Sequence, residues 1–477
     1  MPSDCREASA LVRAGGGAPA PVEKSWLQGK HMTKKHAGQA LVFSGAFYLF
    51  AFPARPAYPA PLALPALEAA QVSFDQAIRD LGSPDASLRL RTAQMLKDAA
   101  YPEAAVPLGR LMVDPRDDIQ IEAIAAELNI FLAEKIVARR RVGFVIEVRT
   151  PLAAEASFTA GPLAIGPRPV PLEVLDGLRK AARDDNPRVR LEAVYAFGVL
   201  AVESGGARRR DLLRTSGPDL AAMIGAVDPA QRYAALRVIG RVFERRPQDD
   251  PIALEMGDAV ISALNEKDDA MRAAAMQALG AMRYERAVQG LTDLFQYYGK
   301  GDMARAALDA IAHIAHPSCV PLLASQLTSK DLAFKGIAIE GLARAGDRTK
   351  LADIQSASSG QRNDNLLLTG SFASVMLSGA PADLLGPIVE ALARPKLRDQ
   401  ARGYLVDAAL GHTQAFARHL RNPDARLRAD LIDALGLRGD SAAVALVEPL
   451  AADPDVQVAH AVERALARLR QTQRSAT

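Results

Sequence analysis

One phrase recurs along this chain with its key positions held, and it constrains the fold more than any other feature. From Asp268 to Gly280 it reads Asp-Asp-Ala-Met-Arg-Ala-Ala-Ala-Met-Gln-Ala-Leu-Gly. Arg272 follows Asp268 by four residues, with Ala275, Leu279 and Gly280 three, seven and eight beyond the Arg. Asp228, Arg232, Ala235, Ile239 and Gly240 repeat the spacing, and so do Asp424, Arg428, Leu431, Leu435 and Gly436. Arg190, Ala193 and Gly198 keep part of it. Self-similarity at a period of a few tens of residues predicts stacked helical units, none of which buries its apolar face alone. With the basic residue as marker, the units centre on Arg89, Gln120, Arg190, Arg232, Arg272, Arg305, Lys335, Leu367, Arg402, Arg428 and Ala459. Gln120, Leu367 and Ala459 have lost the base and are recognised from the surrounding turn and apolar pattern.

Each marker has a physical task. The first helix of a unit is typified by Ser318–Leu327, where Val320, Leu323 and Leu327 share one helical face. The Asp opening the second helix (Asp85, Asp228, Asp268, Asp331, Asp424, Asp455) is placed to cap orphan N–H groups, as is Asn186. Pro187 and its counterparts fall where a missing N–H is tolerated. The Arg lies near the turn, within reach of Asp side chains of its own and the next unit. The Ala allows close helix packing. Gly198, Gly240, Gly280 and Gly436 are expected to end their helices.

The phrase resembles the HEAT repeat family, specifically the short bacterial HEAT-like repeats also found in phycobilisome lyases. The resemblance runs from about Ser73 to Leu469. It implies an all-α, right-handed α-solenoid of ten to eleven helical hairpins, its concave surface lined by the second helices. Composition agrees: aromatics are only 5% of a chain that is 49% hydrophobic, so the core is aliphatic and Ala-rich. For function the resemblance implies a protein-binding scaffold first. A lyase-like or accessory enzyme subunit is one alternative, and a cytoplasmic DNA-binding protein another.

The chain divides into five segments. Residues 1–31 are rich in Gly, Ala and Pro, read as disordered, and are expected to lie upstream of a true start at Met32. Residues 32–70 combine a basic cluster, the uncharged run Ala40–Phe52 and a Pro/Ala-rich stretch, the pattern of a signal peptide directing the chain to the periplasm or outside the cell. Cytoplasmic location is the alternative. Residues 71–141 hold N-terminal repeats, and 170–477 the main array. Between them, 142–169 break the period. The β-prone Val142–Val148 and the run Gly161, Pro162, Gly166, Pro167, Pro169 predict an inserted loop or short hairpin, of the kind that carries function in repeat proteins.

Chemistry is sparse. The chain has no His-Glu-x-x-His, no phosphate loop and no Gly-x-Ser-x-Gly. His313 and His316, like His412 and His419, read as helix-end histidines rather than metal ligands. The acid pairs Asp117-Asp118, Asp184-Asp185, Asp249-Asp250 and Asp268-Asp269 fall in the inter-helix turns and read as caps. Two cysteines, Cys5 and Cys319, make no disulfide framework. A net charge of +3 is too small to imply nucleic acid, and Arg139–Arg141 and Arg208–Arg210 are too short to change that. No catalytic residue, metal or cofactor is expected. A protein partner is, and a membrane contact only through the signal segment.

Overall fold

The computed structural model describes residues 73–133, 153–203, 216–244, 252–360, 362–379 and 381–474. The chain divides into two compact units, Met1–Ala69 and Ala70–Thr477, and every described residue belongs to the second. The expected disordered and signal segments, 1–31 and 32–70, lie outside the described residues.

The described residues form helices and no strand; an isolated bridge pairs Leu132 with Ile165. Eleven second helices carry the marker positions. They are α1 (Ala86–Ala99), α2 (Asp117–Phe131), α4 (Pro187–Leu200), α5 (Pro229–Phe243), α6 (Asp269–Met282), α7 (Gly301–Ile314), α8 (Leu332–Ala345), α9 (Asp364–Leu377), α10 (Arg398–His412), α11 (Ala425–Arg438) and α12 (Val456–Arg474). The remaining helix of this series, α3 (Ala153–Ala160), belongs to the insertion. A shorter first helix precedes each second one, such as Val288–Tyr298 before α7. Before α11 it shrinks to the 3-10 turns Thr413–Phe416 and His419–Arg421.

The local reasons are those of cap chemistry and helix propensity. The Ala-, Met- and Leu-rich sequence of α6 favours helix throughout. Asp268, itself extended, accepts from the Met271 N–H at 2.9 Å and opens it. Arg283, in the left-handed region at φ 50° and ψ 48°, closes it, with the Tyr284 N–H bonding back to the Leu279 carbonyl at 3.1 Å. Asp85, Asp228, Asp331, Asp424, Asp455, Asn186 and Asn363 cap their helices in the same way.

Successive second helices pack on one another from α1 to α12, making the closely spaced inner layer of a solenoid, with the first helices outside. Ala193, Ala235 and Ala275 are buried at these crossings. The marker glycines are not helix ends. Gly198, Gly240, Gly280 and Gly436 all lie inside their helices, and Gly346 and Gly439 take the left-handed caps instead. The marker glycine sits where the next second helix comes closest. A Cβ on Gly436 would fall 2.6 Å from Ala465 Cα, and one on Gly280 3.1 Å from Ala310 Cα. The spacing is therefore a helix-crossing signal, since only a residue without Cβ admits a neighbouring backbone so near. Gly240 is the loose member, its nearest atom being Ala278 Cα at 3.8 Å. Gly436→Ala should thus cost about 1–3 kcal/mol by overpacking. Gly240→Ala should stabilise by about 0.5–1 kcal/mol through helix propensity. Urea denaturation of the two variants checks this, and equal effects would remove the crossing explanation.

Candidate functional site on the inner face

The marker arginines hold the turn edge of the inner layer together. Arg89 forks onto Asp114 of the next unit, at 2.7 and 3.0 Å, while its Nη1 donates to the Ser83 and Pro84 carbonyls. Arg428 does the same with Asp453, Asn422 and Pro423. Arg190 and Arg232 bind their own turn carbonyls, and Arg232 also pairs with Glu266 at 3.2 Å. Arg272 pairs with Asp269 and lies over the Tyr298 ring. Gln120, where the base is lost, still reaches the next unit by donating to Asp184 at 2.8 Å. The structure thus brings Asp228, Asp268 and Asp424 to helix starts, Arg190, Arg232, Arg272 and Arg428 to one edge, and the glycines to helix crossings.

The other sequence candidates disperse. His313 Nδ1 lies 2.9 Å from the Asp309 carbonyl, whereas His316 caps the turn at Ser318 and pairs with Glu285 at 3.1 Å. Asp117, Asp184 and Asp185 cluster at a turn, where Asn186 donates to Asp117 and Gln120 to Asp184.

The described part of the insertion, from residue 153 on, differs from the expected loop or hairpin. Its β-prone part, Val142–Val148, lies outside the described residues, but the run Ala-Ala-Glu-Ala-Ser-Phe-Thr-Ala forms α3. Ala-rich sequence favours helix, and Gly161 at φ 90° stops it before Pro162. This helix packs on α4, with its N-terminus capped from outside: the buried Glu192 carboxylate accepts from the Ala153 and Ala154 N–H groups at 3.2 and 3.0 Å. Burial pushes the Glu192 carboxyl up despite these bonds. Glu155 pairs with Arg237 of α5 at 2.9 Å. Phe158 lies under Arg237 and Arg241, at 5.2 and 4.4 Å from ring centre to guanidinium. Burial, then the neighbouring Glu155, pushes the Tyr195 hydroxyl up to about 12.

Beyond α3 the insertion meets the far end of the array. The Arg468 Nη2 of α12 donates to the carbonyls of Ile165 at 3.0 Å and Pro162 at 3.3 Å. The adjoining Asp433 of α11 pairs with Arg464 at 2.9 Å. Burial raises the Asp433 pKa, opposed by Arg464, Arg468 and Arg402.

Between these regions the winding is tight enough for second helices two units apart to bond. Tyr404 of α10 donates to Glu340 of α8, and Arg344 of α8 pairs with Asp407 of α10 at 3.1 Å and with Glu340 at 3.2 Å. Thr369 and Gln400 complete the set around the Tyr404 hydroxyl, at 2.9 and 2.7 Å. Phe372 of the intervening α9 stacks on Tyr404 at 4.3 Å and lies beneath Arg344. Burial lowers the Arg344 pKa by itself, but Asp407 and Glu340 outweigh it and hold the group charged. The same edge, at the C-terminal ends of the second helices, carries Arg241, Arg283 and Arg438. No acid lies within ion-pair distance of any of these three among the described residues. Spacing within one unit carries no signal for this convergence.

A family model of HEAT repeats matches residues 217–297, which span α5, α6 and the helices beside them. Among solved structures, an engineered protein from a structural genomics programme is 18% identical, with 83% of this chain and 98% of that chain covered and a TM-score of 0.37. A designed armadillo repeat protein is 16% identical, with 57% and 99% covered and a TM-score of 0.33. No curated protein matches the chain.

Proposed function

We propose that this chain, a helical scaffold with HEAT repeats at residues 217–297, is a non-catalytic protein-binding module that engages an acidic segment of its partner on the inner face. The observation that supports this is the row of cations at one edge of the inner layer. Arg241, Arg283 and Arg438 make no close ion pair among the described residues, although Glu244 acts on the first and Asp407 on the other two, in a protein whose other inner-face charges are largely paired. Uncompensated charge of one sign on a rigid inner surface steers an oppositely charged ligand and sets its register. Affinity capture from cell-envelope extract tests the reading. The wild-type chain should retain a partner that the double variant Arg283→Glu, Arg438→Glu loses at least about tenfold. Equal retention by both would remove the inner face from the binding role.

We also propose export of the chain, on the basic cluster, apolar run and Pro/Ala stretch of residues 32–70. Among the described residues no helix is long and apolar enough to cross a membrane. Mass spectrometry of the mature chain should find an N-terminus near Ala69. An intact sequence upstream of Phe43 would refute export by this signal.

A further inference from the structure

An acid two places before the start of a second helix has a fixed use at the turn edge. Asp114 accepts the Arg116 N–H at 3.0 Å, Asp184 the Asn186 N–H at 2.9 Å and Asp453 the Asp455 N–H at 3.0 Å. The marker arginine of the preceding unit answers the charge in two of these places, Arg89 forking onto Asp114 and Arg428 onto Asp453. At Asp184 the marker is Gln120, whose neutral amide donates one bond at 2.8 Å and brings no charge. Further acids have gathered at the same point. Carboxylate oxygens of Asp117, Asp184 and Asp185 all lie within 4.8 Å of one another. Asp117 opens α2, the other two belong to the turn before α4, and the insertion separates them in the chain.

The local contacts answer this charge only in part. Asn186 caps α4 with its own carbonyl oxygen and donates to Asp117 from Nδ2. Arg190 is the base that acts on Asp184, but its Nη1 donates to the Asp184 and Asp185 carbonyls at 2.9 Å each rather than to a carboxylate. Gln120 is the second, independent sign. Its side chain is 4% exposed, its amide is turned into the cluster, and its Oε1 is buried without a partner. A buried carbonyl oxygen left without a donor is costly, and a cation beside the three carboxylates would answer it together with them.

We propose that Asp117, Asp184, Asp185 and Gln120 form a calcium site that stands in for the lost arginine charge and ties α2 to the turn before α4. Carboxylates with an amide carbonyl are an all-oxygen set, which suits a hard cation. Calcium holds its oxygens at about 2.3–2.6 Å, so ligands on opposite sides of it lie up to about 5 Å apart. The three carboxylates fit within that span. Magnesium demands a tighter octahedron and gives up its waters reluctantly. An arginine at position 120 would repel the cation and take Asp184 for itself, so the change to Gln is the one such a site requires. The assignment is independent of what the inner face binds.

Isothermal titration of the full chain, stripped of metal with EDTA and dialysed, tests the site with calcium chloride and magnesium chloride at constant ionic strength. The expected result is one saturable calcium site with a Kd of about 10⁻⁴–10⁻³ M, and magnesium weaker by at least about tenfold. Asp185→Asn should weaken calcium binding by at least about tenfold, since it removes one ligand charge. Gln120→Arg should abolish it. The metal-free melt of Gln120→Arg should be no lower than that of the wild type, because the arginine restores the fork made by Arg89 and Arg428. Calcium should raise the Tm of the wild type and leave that of Gln120→Arg unchanged. No saturable calcium heat up to about 10 mM, well above the expected Kd, would overturn the site. So would wild-type affinity in both variants, or an equal calcium shift in the melt of Gln120→Arg. Magnesium binding as tightly as calcium would overturn the choice of cation.

Discussion

Glu127→Leu should raise the unfolding free energy at neutral pH by about 1–3 kcal/mol. Glu127 lies seven residues beyond Gln120, the place filled by Ile239, Leu279 and Leu435 in other units. All three of those are buried, and so is Glu127, whose two carboxylate oxygens find no partner among the described residues. Burial pushes its pKa well above the ordinary glutamate range. The sign for stability follows. Below the ordinary glutamate pKa of about 4.3, the carboxyl is protonated in both states and the native protein has its full stability. Above it the unfolded chain ionises while Glu127 stays neutral, so the native state holds the extra proton. Stability is then lost as pH rises towards the raised pKa of Glu127, by about 1.4 kcal/mol for each pH step over which the two states differ by that one proton. Urea midpoints between pH 4 and 8 should therefore fall in the wild type relative to the leucine variant. Parallel curves would mean that Glu127 is ionised and paired in the native protein.

Arg468→Met should cost about 2–3 kcal/mol, because it leaves the carbonyls of Ile165 and Pro162 without this donor while keeping most of the side-chain stem. Arg468 is only 8% exposed, so water cannot readily replace the lost guanidinium. The loss should be local as well as global. Amide hydrogen exchange should quicken in α3 and in the C-terminal half of α12, with α5 to α8 little changed. Unaltered protection in α3 would show that Glu192, Phe158 and Arg237 hold the insertion without Arg468.

Much of the scaffold was legible because the signals that specify it are local. A cap acts within three residues, so Asp268, Asp424 and Asn186 could be assigned from spacing alone. The glycine spacing misleads for a related reason. Spacing shows that Gly280 and Gly436 recur near the end of an apolar run, but not whether the helix stops there or another crosses it. In each case the helix continues for two residues beyond the glycine. The helix α3 is hidden because its short Ala-rich run stands beside a Gly/Pro-rich run that dominates the composition. The inner-face network was out of reach for a geometric reason. The pairs Arg344–Asp407 and Glu340–Tyr404 depend on how tightly the units wind, which sums small angles at successive crossings. Glu127 is the exception that could have been seen, as an acid in a position that elsewhere holds Leu or Ile.

The bond from α12 back to the insertion changes how such a protein can come apart. An open stack of repeats has two free ends, and its stability is nearly a sum of neighbour terms, so it frays inward from either end. Here the terminal helix is fastened to residues about 300 positions earlier in the chain. Peeling off the last unit must break that distant contact as well as the contact with α11. Forming it during folding closes a very long loop, an entropic cost that grows slowly with length and is met only after the intervening units have stacked. The array should consequently fold with a slow final docking step and unfold more nearly all at once than an unfastened stack of the same units.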